Sequence, residues 1–455
     1  MRTEQEDFIH ELTNLYEVGV RHNESKVMPP MSQADQILSR REAALVHVDI
    51  YQPVAEADGI DPAAIVLSIA SDLAKVEQEW RLFQQHADCT AFQAFEWLAA
   101  WQRCIGTPAG VQPVIVTGRR PDATLLFILP LAVVRHGRLL QLTFLGRDLG
   151  DYNAPLLASD FSQVISKDAF PALWQRVLSA ISDHADADPF DLVMLDKMPE
   201  HIGAQENPFL SLGCNLNPSG AYATRLGPDW DSFYLEKRSS ATRRRDRTKR
   251  KRLSESGDIL LVTPDDPHDL ELTLETLIQQ KRRAFARMGV PDIFDRPGYL
   301  DFYRAVATAE NGRRIAHVSR LQVGSAFAAV NLGLEFRRRY YHVLASYDEG
   351  ELSRFGPGVV HLHELMKHAI GHHCREFDFT IGDEPYKREW SDRELNLFDH
   401  IAPVTLRGTL ASSSMQIAQR AKRAIKQSRR LWPLIGKLRA GLANLKSRVR
   451  GTPSA

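Results

Sequence analysis

The segment 353–390 combines a glycine-rich turn, Gly356-Pro357-Gly358, with a downstream cluster of ionisable residues: Asp383, Glu384, Tyr386 and Lys387. The two glycines permit backbone angles and a close ligand approach that a Cβ would obstruct. Because the unpaired amides at the start of a helix favour an anion, we expect a phosphate or pyrophosphate group at this turn. The combination indicates an enzyme that uses a phosphate-bearing cofactor.

The elements that position these residues follow one another as strand, strand, glycine loop, helix and strand. Two β-rich runs, Phe327–Leu334 and Arg339–Ser346, precede the turn. After it, an apolar stripe predicts a helix that ends near Gly371. Alternation over Phe377–Ile381 then predicts a half-buried strand. A tight turn without a ligand is the alternative interpretation, because short motifs are weak evidence by themselves.

With these elements in place, the sequence resembles the GNAT acyltransferase superfamily. More narrowly, it resembles the bacterial CelD-like acetyltransferases of cellulose or exopolysaccharide biosynthesis. The residues that carry the resemblance are Gly356-Pro357-Gly358, Phe377-Asp378-Phe379, Gly382-Asp383, Tyr386-Lys387 and Trp390, with upstream matches at Trp80, Phe92-Gln93, Trp97, Trp101, Phe144-Leu145-Gly146 and Asp151–Pro155. The resemblance covers roughly residues 70–405, although Ser353–Gly358 matches the usual cofactor loop only in part.

The resemblance implies acetyl-CoA, or another acyl-CoA, as co-substrate and no metal. The residues expected to bind it are Ser353, Arg354, Gly356, Gly358 and Val359. Transfer from a thioester needs a base for the acceptor, donors for the oxyanion and an acid for the departing thiolate.

Catalytic and substrate-binding roles follow from that chemistry. We predict Asp383 or Glu384 as the base and Tyr386 as the acid. Asp378 is a further catalytic candidate, and a structural hydrogen-bond anchor is its alternative role. We expect contacts with the substrate from Lys387, Trp390 and His342, with a packing role as the alternative for Trp390.

The predicted fold is α/β, with two tandem GNAT-like domains built on mixed central sheets and a basic amphipathic C-terminal helix. A chain of 455 residues is long for one core, which favours two domains. The predicted units are an unassigned extension over 1–70, an N-terminal GNAT-like domain over 71–216, a C-terminal GNAT domain with the cofactor loop over 217–405, and the tail 406–455. The duplication is implied by the family, since no internal sequence repeat is evident.

Two basic segments suggest contacts with anions. Lys237–Arg252 carries ten basic residues and one acidic residue, Asp246, and a serine at 239 or 240 can cap its helix. Interleaved aromatics and duplex-binding spacings are missing there, so nucleic acid is not expected. The tail beyond Leu406 has no acidic residue, and leucines recur at helical spacing over 431–445. This pattern predicts either contact with an anionic membrane surface or packing on the body or a partner.

Composition and the remaining patterns exclude several classes. Lysines and arginines balance aspartates and glutamates at 57 each, and the four scattered cysteines have no metal or redox spacing. Glu364, His368 and His372 share a helix face, but Lys367 stands where a zinc-protease pattern needs histidine, so no metal is predicted. The polar start and the short apolar run 125–134 predict a cytoplasmic protein, at the inner face of the membrane if the tail binds it.

Three functions remain open at this point. The favoured one is an acyl-CoA-dependent transferase that acts on a sugar or sugar-linked amine or hydroxyl in surface polysaccharide biosynthesis. The alternatives are a FemAB-like aminoacyl-tRNA-dependent transferase and a non-catalytic membrane-associated scaffold. The Gly-Pro-Gly turn favours the first. The sequence determines neither the acceptor nor the oligomeric state.

Overall fold

The computed structural model describes residues 60–186, 188–309 and 315–427. The predicted leucine repeat over 431–445 and most of the predicted extension over 1–70 lie outside these ranges. Among the described helices, none has the length and apolar character needed to cross a membrane. The protein is α/β, with two mixed sheets, as the sequence predicted.

The first sheet contains eight strands from the described residues. Their order is β1 (Val66–Ala70), β2 (Gln112–Arg119), β3 (Leu125–His136), β4 (Leu139–Phe144), β6 (Leu192–Pro199), β17 (Leu397–Pro403) and β9 (Asn215–Leu216), with β5 (Leu156–Leu157) against β3. Strands β1 to β4 are antiparallel, and β4 pairs with β6 in parallel. Helices α1 (Glu77–Phe83), α2 (Phe95–Trp101), α3 (Phe161–Val164) and α4 (Phe170–Asp183) belong to this half.

The second sheet contains seven strands from the described residues. Their order is β11 (Ile259–Val262), β12 (Ala316–Val323), β13 (Ala326–Phe336), β14 (Arg339–Tyr347), β15 (Glu376–Ile381), β10 (Ala221–Arg225) and β16 (Arg393–Leu395). Its helices are α5 (Trp230–Lys237), α6 (Ser240–Ser254), α7 (Pro267–Met288), α8 (Tyr299–Ala307), α9 (Pro357–Gly371) and α10 (Pro385–Trp390). A small hairpin, β7 (His201–Ile202) with β8 (Gln205–Glu206), and α11 (Leu406–Gln427) complete the described elements.

The two halves repeat one arrangement. In each, three antiparallel strands lead through a helix to a fourth strand that pairs with the third in parallel: β2-β3-β4-α4-β6 and β12-β13-β14-α9-β15. Strand β17 follows the second sheet in the chain but returns to pair with β6 in the first. The halves are therefore linked by strand pairing as well as by side-chain packing.

Buried aromatic rings fill the junction between the halves. Phe92 makes edge contacts with Trp97, Tyr152 and Tyr341 at centroid distances of 5.4, 5.6 and 5.7 Å. Trp97 in turn contacts Phe302 of α8 at 4.7 Å. Such edge-to-face pairs add to the free energy gained by burying apolar area. The residues around Trp80 and Trp97 that resembled the family thus form a shared core.

The local predictions around the glycine turn are confirmed. The expected runs are strands β13, β14 and β15, and the helix α9 ends at Gly371. The basic segment forms α6, where the Ser239 side chain accepts a hydrogen bond from the Thr242 amide as the N-cap.

Candidate active site

Strands β14 and β15 are paired over three residues and then part. The parallel register runs from Arg339 beside Glu376 to Tyr341 beside Asp378. Just beyond, His342 and Val343 of β14 together face one residue of β13, and Phe379 is an extra residue in β15. Such bulges bend strands and are frequent beside active sites. The facing edge of β14 is left with backbone donors and acceptors that an extended ligand can pair with.

The strand β15 turns away through unusual backbone angles. Thr380 has a φ of 60° and Gly382 a φ of 136°. A positive φ is costly for a β-branched residue, and such strain is concentrated at functional sites. The Thr380 hydroxyl is 3.4 Å from the His342 carbonyl oxygen, so it closes the narrow end of the opening.

The glycine turn lies at the wide end, at the start of α9. Gly356 has a φ of 67°, and Pro357 occupies the first turn of the helix, where its missing N–H costs nothing. A Cβ on Gly356 would lie 3.4 Å from Cδ of Lys249 and 3.6 Å from its Nζ. A Cβ on Gly358 would lie 3.5 Å from the Tyr347 ring. The helix amides, the left-handed glycine and a lysine therefore form a cradle that fits a phosphate-bearing cofactor.

Lys249 comes from the basic helix α6, which is fixed against α9. Arg250 Nη1 is 2.5 Å from Glu364 Oε1 of α9. The one acid of the segment, Asp246, is buried and accepts a hydrogen bond from the Tyr234 hydroxyl at 2.8 Å. The sequence analysis did not single out Lys249, although it did expect this basic segment to contact an anion.

The other predicted cofactor residues surround the same turn. Ser353 and Arg354 lie in the short 3-10 turn Glu351–Phe355 that precedes Gly356, and the Arg354 guanidinium stacks over Phe355 at 4.8 Å. Val359 lies half-buried in the first turn of α9.

Asp378 joins the halves of the molecule. Its Oδ1 accepts hydrogen bonds from the Tyr152 hydroxyl at 2.7 Å and from the Thr380 amide at 2.8 Å, and Arg339 is 3.5 Å from Oδ2. The side chain is fully buried, and burial raises the pKa of its carboxyl to about 6, despite the opposing charge of Arg339. These contacts are those of the hydrogen-bond anchor that the sequence left as an alternative.

Glu384 and Lys387 form a pair at the end of β15. Lys387 Nζ donates to the Ile381 carbonyl at 2.7 Å and is 3.1 Å from Glu384 Oε2. Their side chains are only 6 % and 12 % exposed. A Cβ on Gly382 would lie 2.3 Å from Glu384 Oε2, so this pairing requires glycine there. Asp383 points elsewhere, with Oδ1 3.5 Å from Arg388, and it is therefore the weaker of the two candidate bases.

Two residues that sequence reasoning did not select complete the cluster. Asp151 of the first half is a hydrogen-bond partner of the Thr380 side chain, and Lys387 and Glu384 are among its charged neighbours. Burial raises the pKa of Asp151. Lys281 of α7 is 2 % exposed and also lies near Glu384 and Lys387. Burial lowers the pKa of Lys281 to about 7.

Their signals in the sequence were weak for different reasons. Asp151 belonged to a motif of the family resemblance, but nothing placed it beside Glu384. Lys281 sits within a long charged helix, where one more lysine is unremarkable. The helix is held to the sheet by Gln280, which donates to the Phe327 carbonyl at 3.0 Å and accepts from the Ser346 hydroxyl at 2.8 Å.

Tyr386 and His342 flank the opening, and Trp390 does not. The His342 ring is 6.4 Å from Tyr386 in an edge contact, and burial lowers the pKa of His342 to about 3, so it is neutral. Burial and the nearby Glu384 charge raise the pKa of Tyr386, which keeps its hydroxyl protonated and able to donate. Trp390 stacks on Phe233, and its contacts are those of a packing residue.

The site is thus assembled from both halves. Glu384, Tyr386, Lys387 and His342 meet Asp151 and Lys281 near the parted strands, and the glycine turn lies where β14 leads into α9. The arrangement offers a phosphate cradle, an open strand edge, a carboxylate and a protonated phenol. These are the groups that an acyl transfer from a cofactor thioester requires.

Comparison with known proteins agrees with this geometry for the second half. Residues 240–388, about one third of the chain, match the family model described as acetyltransferase (GNAT) domain. No curated protein matches the chain significantly. The matched residues include strands β11 to β15 and helices α6 to α9 of the second half.

Solved structures resemble about three quarters of the chain more distantly. FemX is 13 % identical, with a TM-score of 0.49 over 72 % of this chain and 96 % of its own. L-PGS from Bacillus licheniformis is 12 % identical, with a TM-score of 0.43 over 76 % and 98 %. A tandem GNAT protein from the clavulanic acid biosynthesis pathway is 12 % identical, with a TM-score of 0.38 over 74 % and 98 %. At these values the likeness identifies no substrate.

Proposed function

We propose that this protein is an acyl-CoA-dependent acyltransferase, with acetyl-CoA as the donor. The observation that carries the proposal is the opening between β14 and β15, which lies beside a glycine turn at the start of α9. The GNAT family match over 240–388 covers both features. The open edge of β14 suits the extended, amide-bearing part of acyl-CoA. The turn with Lys249 suits the phosphates of the same cofactor.

Bound acyl-CoA supplies an activated thioester; the protein supplies orientation and proton transfer. Glu384, held by Lys387, takes the proton of the acceptor amine or hydroxyl. Tyr386 gives a proton to the departing thiolate. Asp151 and Lys281 lie near Glu384 and Lys387, where an acceptor would meet the base, and His342 lies beside Tyr386. A base and an acid at fixed positions typically each contribute about 10²–10⁴-fold to such a rate.

We propose a saccharide as the acceptor, with the amine or hydroxyl of a sugar or sugar-linked group receiving the acyl chain during surface polysaccharide biosynthesis. The support for this finer statement is the sequence resemblance carried by Gly382-Asp383, Tyr386-Lys387 and Trp390. Such a step belongs in the cytoplasm, at the inner face of the membrane where activated sugars are assembled.

Helix α11 supports contact with that membrane. Its exposed apolar residues Leu406, Leu410 and Ile417 are 87 %, 79 % and 67 % exposed and share one face of the helix. Arg407 lies within the same first turns, and anionic lipid attracts such basic helices. We expect co-sedimentation with vesicles that contain phosphatidylglycerol, and less with phosphatidylcholine alone. Leu406→Ser with Leu410→Ser should weaken it, whereas Leu82→Ser, an exposed leucine on α1, should not.

Calorimetric titration with acetyl-CoA tests the proposed donor. The wild type should bind saturably, and Gly358→Trp should abolish binding because the indole fills the space beside Tyr347. Gly371→Trp is the matched control, since it places the same side chain at the open far end of the same helix. No binding to the wild type, or equal loss in both variants, would contradict the proposal. Binding of aminoacyl-tRNA in its place would favour the FemAB-like alternative.

Labelled acetyl transfer then identifies the acceptor. Purified protein with radiolabelled acetyl-CoA is offered amino sugars, sugar nucleotides and short glucans. Transfer to any of these classes supports the saccharide acceptor. Transfer confined to peptides or small amines would retain the acyltransferase and reject the polysaccharide role.

A further inference from the structure

A second cluster of chemically active side chains lies at the other end of α9 from the glycine turn. It consists of His317 on β12, Glu335 on β13, His368 in the last turn of α9 and His372, the residue directly after α9. His368 and His372 are four apart and so project from one face. The acyl-transfer site uses none of these residues.

The carboxylate of Glu335 lies between the two helix histidines. Its Oε1 is 2.5 Å from His368 Nε2, and its Oε2 is 3.1 Å from His372 Nδ1. The His317 and His368 rings are stacked, with centroids 3.9 Å apart. One ligand atom from each of His317, Glu335 and His368 lies within 4.8 Å of the other two. Three potential donor atoms therefore lie close enough together to surround one ion.

A second layer of hydrogen bonds holds His317 in place. Its Nδ1 is 2.9 Å from the Tyr340 hydroxyl, and its Nε2 is 3.1 Å from Thr263 Oγ1. The Tyr340 hydroxyl also accepts a hydrogen bond from Asn331 Nδ2 at 2.8 Å. A metal ion would replace one of these two bonds of His317, and the other would remain as the outer hydrogen bond that fixes ring orientation and tautomer.

The sequence had suggested a different third member for this group. Glu364 shares the helix face with His368 and His372 by spacing, but its carboxylate is engaged by Arg250 at 2.5 Å and Lys367 at 2.9 Å. Glu335, from a strand, takes the position instead. The sequence predicted no metal because Lys367 stands where the zinc-protease pattern needs histidine and no further spacing completed a site.

We propose that His317, Glu335 and His368, with His372 as a fourth ligand beside Glu335, bind one divalent transition-metal ion, Zn(II) in the first instance. Imidazole nitrogens with one carboxylate suit zinc, copper or nickel, whereas magnesium and calcium require mainly oxygen ligands. Tetrahedral zinc sites are built from four such protein ligands. His372 is 54 % exposed on its side chain, which leaves the ion an entry path from solvent.

The ion would act as a structural clamp. It would join the C-terminal end of α9 to β12 and β13, while the N-terminal end of that helix holds the cofactor cradle. A ligand that binds only the folded state stabilises it in proportion to the logarithm of its concentration over its dissociation constant. Zinc is therefore expected to raise the melting temperature whether or not the protein transfers acyl groups.

Equilibrium dialysis of tag-free, chelator-treated protein with Zn(II) tests the site. We expect one ion per chain and a rise in melting temperature that a chelator reverses. Glu335→Gln keeps the shape but loses the charge, and His372→Ala removes an exposed ring; each should lower the affinity by at least about 10-fold. His373→Asn is the matched control, because His373 is exposed on the same turn and its φ of 58° suits asparagine.

Cobalt substitution identifies the ligands. Co(II) bound here should give visible bands of nitrogen and oxygen ligation without a thiolate charge-transfer band, which separates this cluster from the free cysteines. Stoichiometric binding lost in Glu335→Gln and His372→Ala but kept in His373→Asn supports the proposal. Absence of stoichiometric binding, a thiolate band, or equal affinity in all variants would overturn it and leave the cluster a hydrogen-bonded stack.

Discussion

The two halves share a strand order but differ at the equivalent crossover. In the second half, β14 parts from β15 and leads through Gly356-Pro357-Gly358 into α9. In the first half, α4 begins at the buried Phe170. Phe170 and Trp174 each lie 5.0 Å from Phe209, and these rings fill the region with apolar contacts. One topology thus yields a ligand cradle where glycines start the helix and a packed core where aromatics do.

The first half still contributes to the site, through a loop. Asp151 and Tyr152 extend from it to the parted strands of the second half, where they meet Thr380 and Asp378. In this duplicated fold, the glycine turn is present in one half only, and the other half contributes side chains that line the candidate site. The residues at the helix start, more than the strand order, therefore distinguish the glycine turn of the second half from the aromatic packing of the first.

The largest expected effect concerns the carboxylate beside the opening. Glu384→Gln should lower kcat for acyl transfer by about 10²–10⁴-fold, because the amide cannot accept the acceptor's proton. Steady-state rates with acetyl-CoA and an identified acceptor measure this. Asp383→Asn is the neighbouring control and should change kcat little, since Asp383 faces Arg388. Equal losses in both variants would show that the loop, and not Glu384 itself, is required.

The next effect tests the packed crossover of the first half. Phe209→Ala should lower the free energy of unfolding by about 3–5 kcal/mol, because it leaves a cavity among Phe144, Phe170 and Trp174. Urea denaturation measures the loss. Affinity for acetyl-CoA in native buffer should stay unchanged. A large fall in that affinity would mean that the two crossovers are not independent.

A smaller effect is expected at the contact between the halves. Tyr152→Phe removes the hydroxyl that donates a hydrogen bond to Asp378 at 2.7 Å. This loss should lower the free energy of unfolding by about 1–3 kcal/mol. Tyr347→Phe, at the rim of the turn, should cost less than about 0.5 kcal/mol. The same denaturation curves decide between them. If Tyr152→Phe left stability unchanged but abolished turnover, the anchor role of Asp378 would be wrong.

The smallest expected effect concerns how the free energy of unfolding changes with pH. Because Lys281 has a folded pKa of about 7 against a normal value of 10.5, the unfolded chain binds one more proton between these values. Stability therefore rises with pH through this window, by up to about 1.4 kcal/mol per pH unit. Lys281→Met should remove that slope, and the exposed Lys75→Met should keep it. If the unfolding free energies of the wild type and Lys281→Met changed with pH in parallel, the lowered pKa of the buried Lys281 amine would be contradicted.

The predictable part of the molecule was local. The glycine turn, α9 and the flanking strands could be predicted because turn residues and apolar periodicity are encoded within a few neighbouring positions. Glu384, Tyr386 and Lys387 followed for the same reason, since they continue directly from β15.

The remainder of the site depends on tertiary packing. Asp151, Lys249 and Lys281 reach it from a loop, a basic helix and an amphipathic helix that are distant in the chain. Asp151 lies in a motif of the resemblance and Lys249 in a basic segment, but no local pattern places them, or Lys281, beside Glu384 or the glycine turn. Glu335 joins two histidines only because β13 runs beneath the end of α9. Single-sequence patterns contain no such distances.

The return of β17 to the first sheet bears on how the chain reaches its native state. Leu397 pairs with Pro199, and Pro403 with Leu192, so the first sheet acquires this strand only after the entire second half has been synthesised. During translation the edge of β6 is exposed, and an unpaired edge invites association with other chains. Contacts between such distant segments also slow folding. We expect the two halves to become protease-resistant together, at a late stage, and not one after the other.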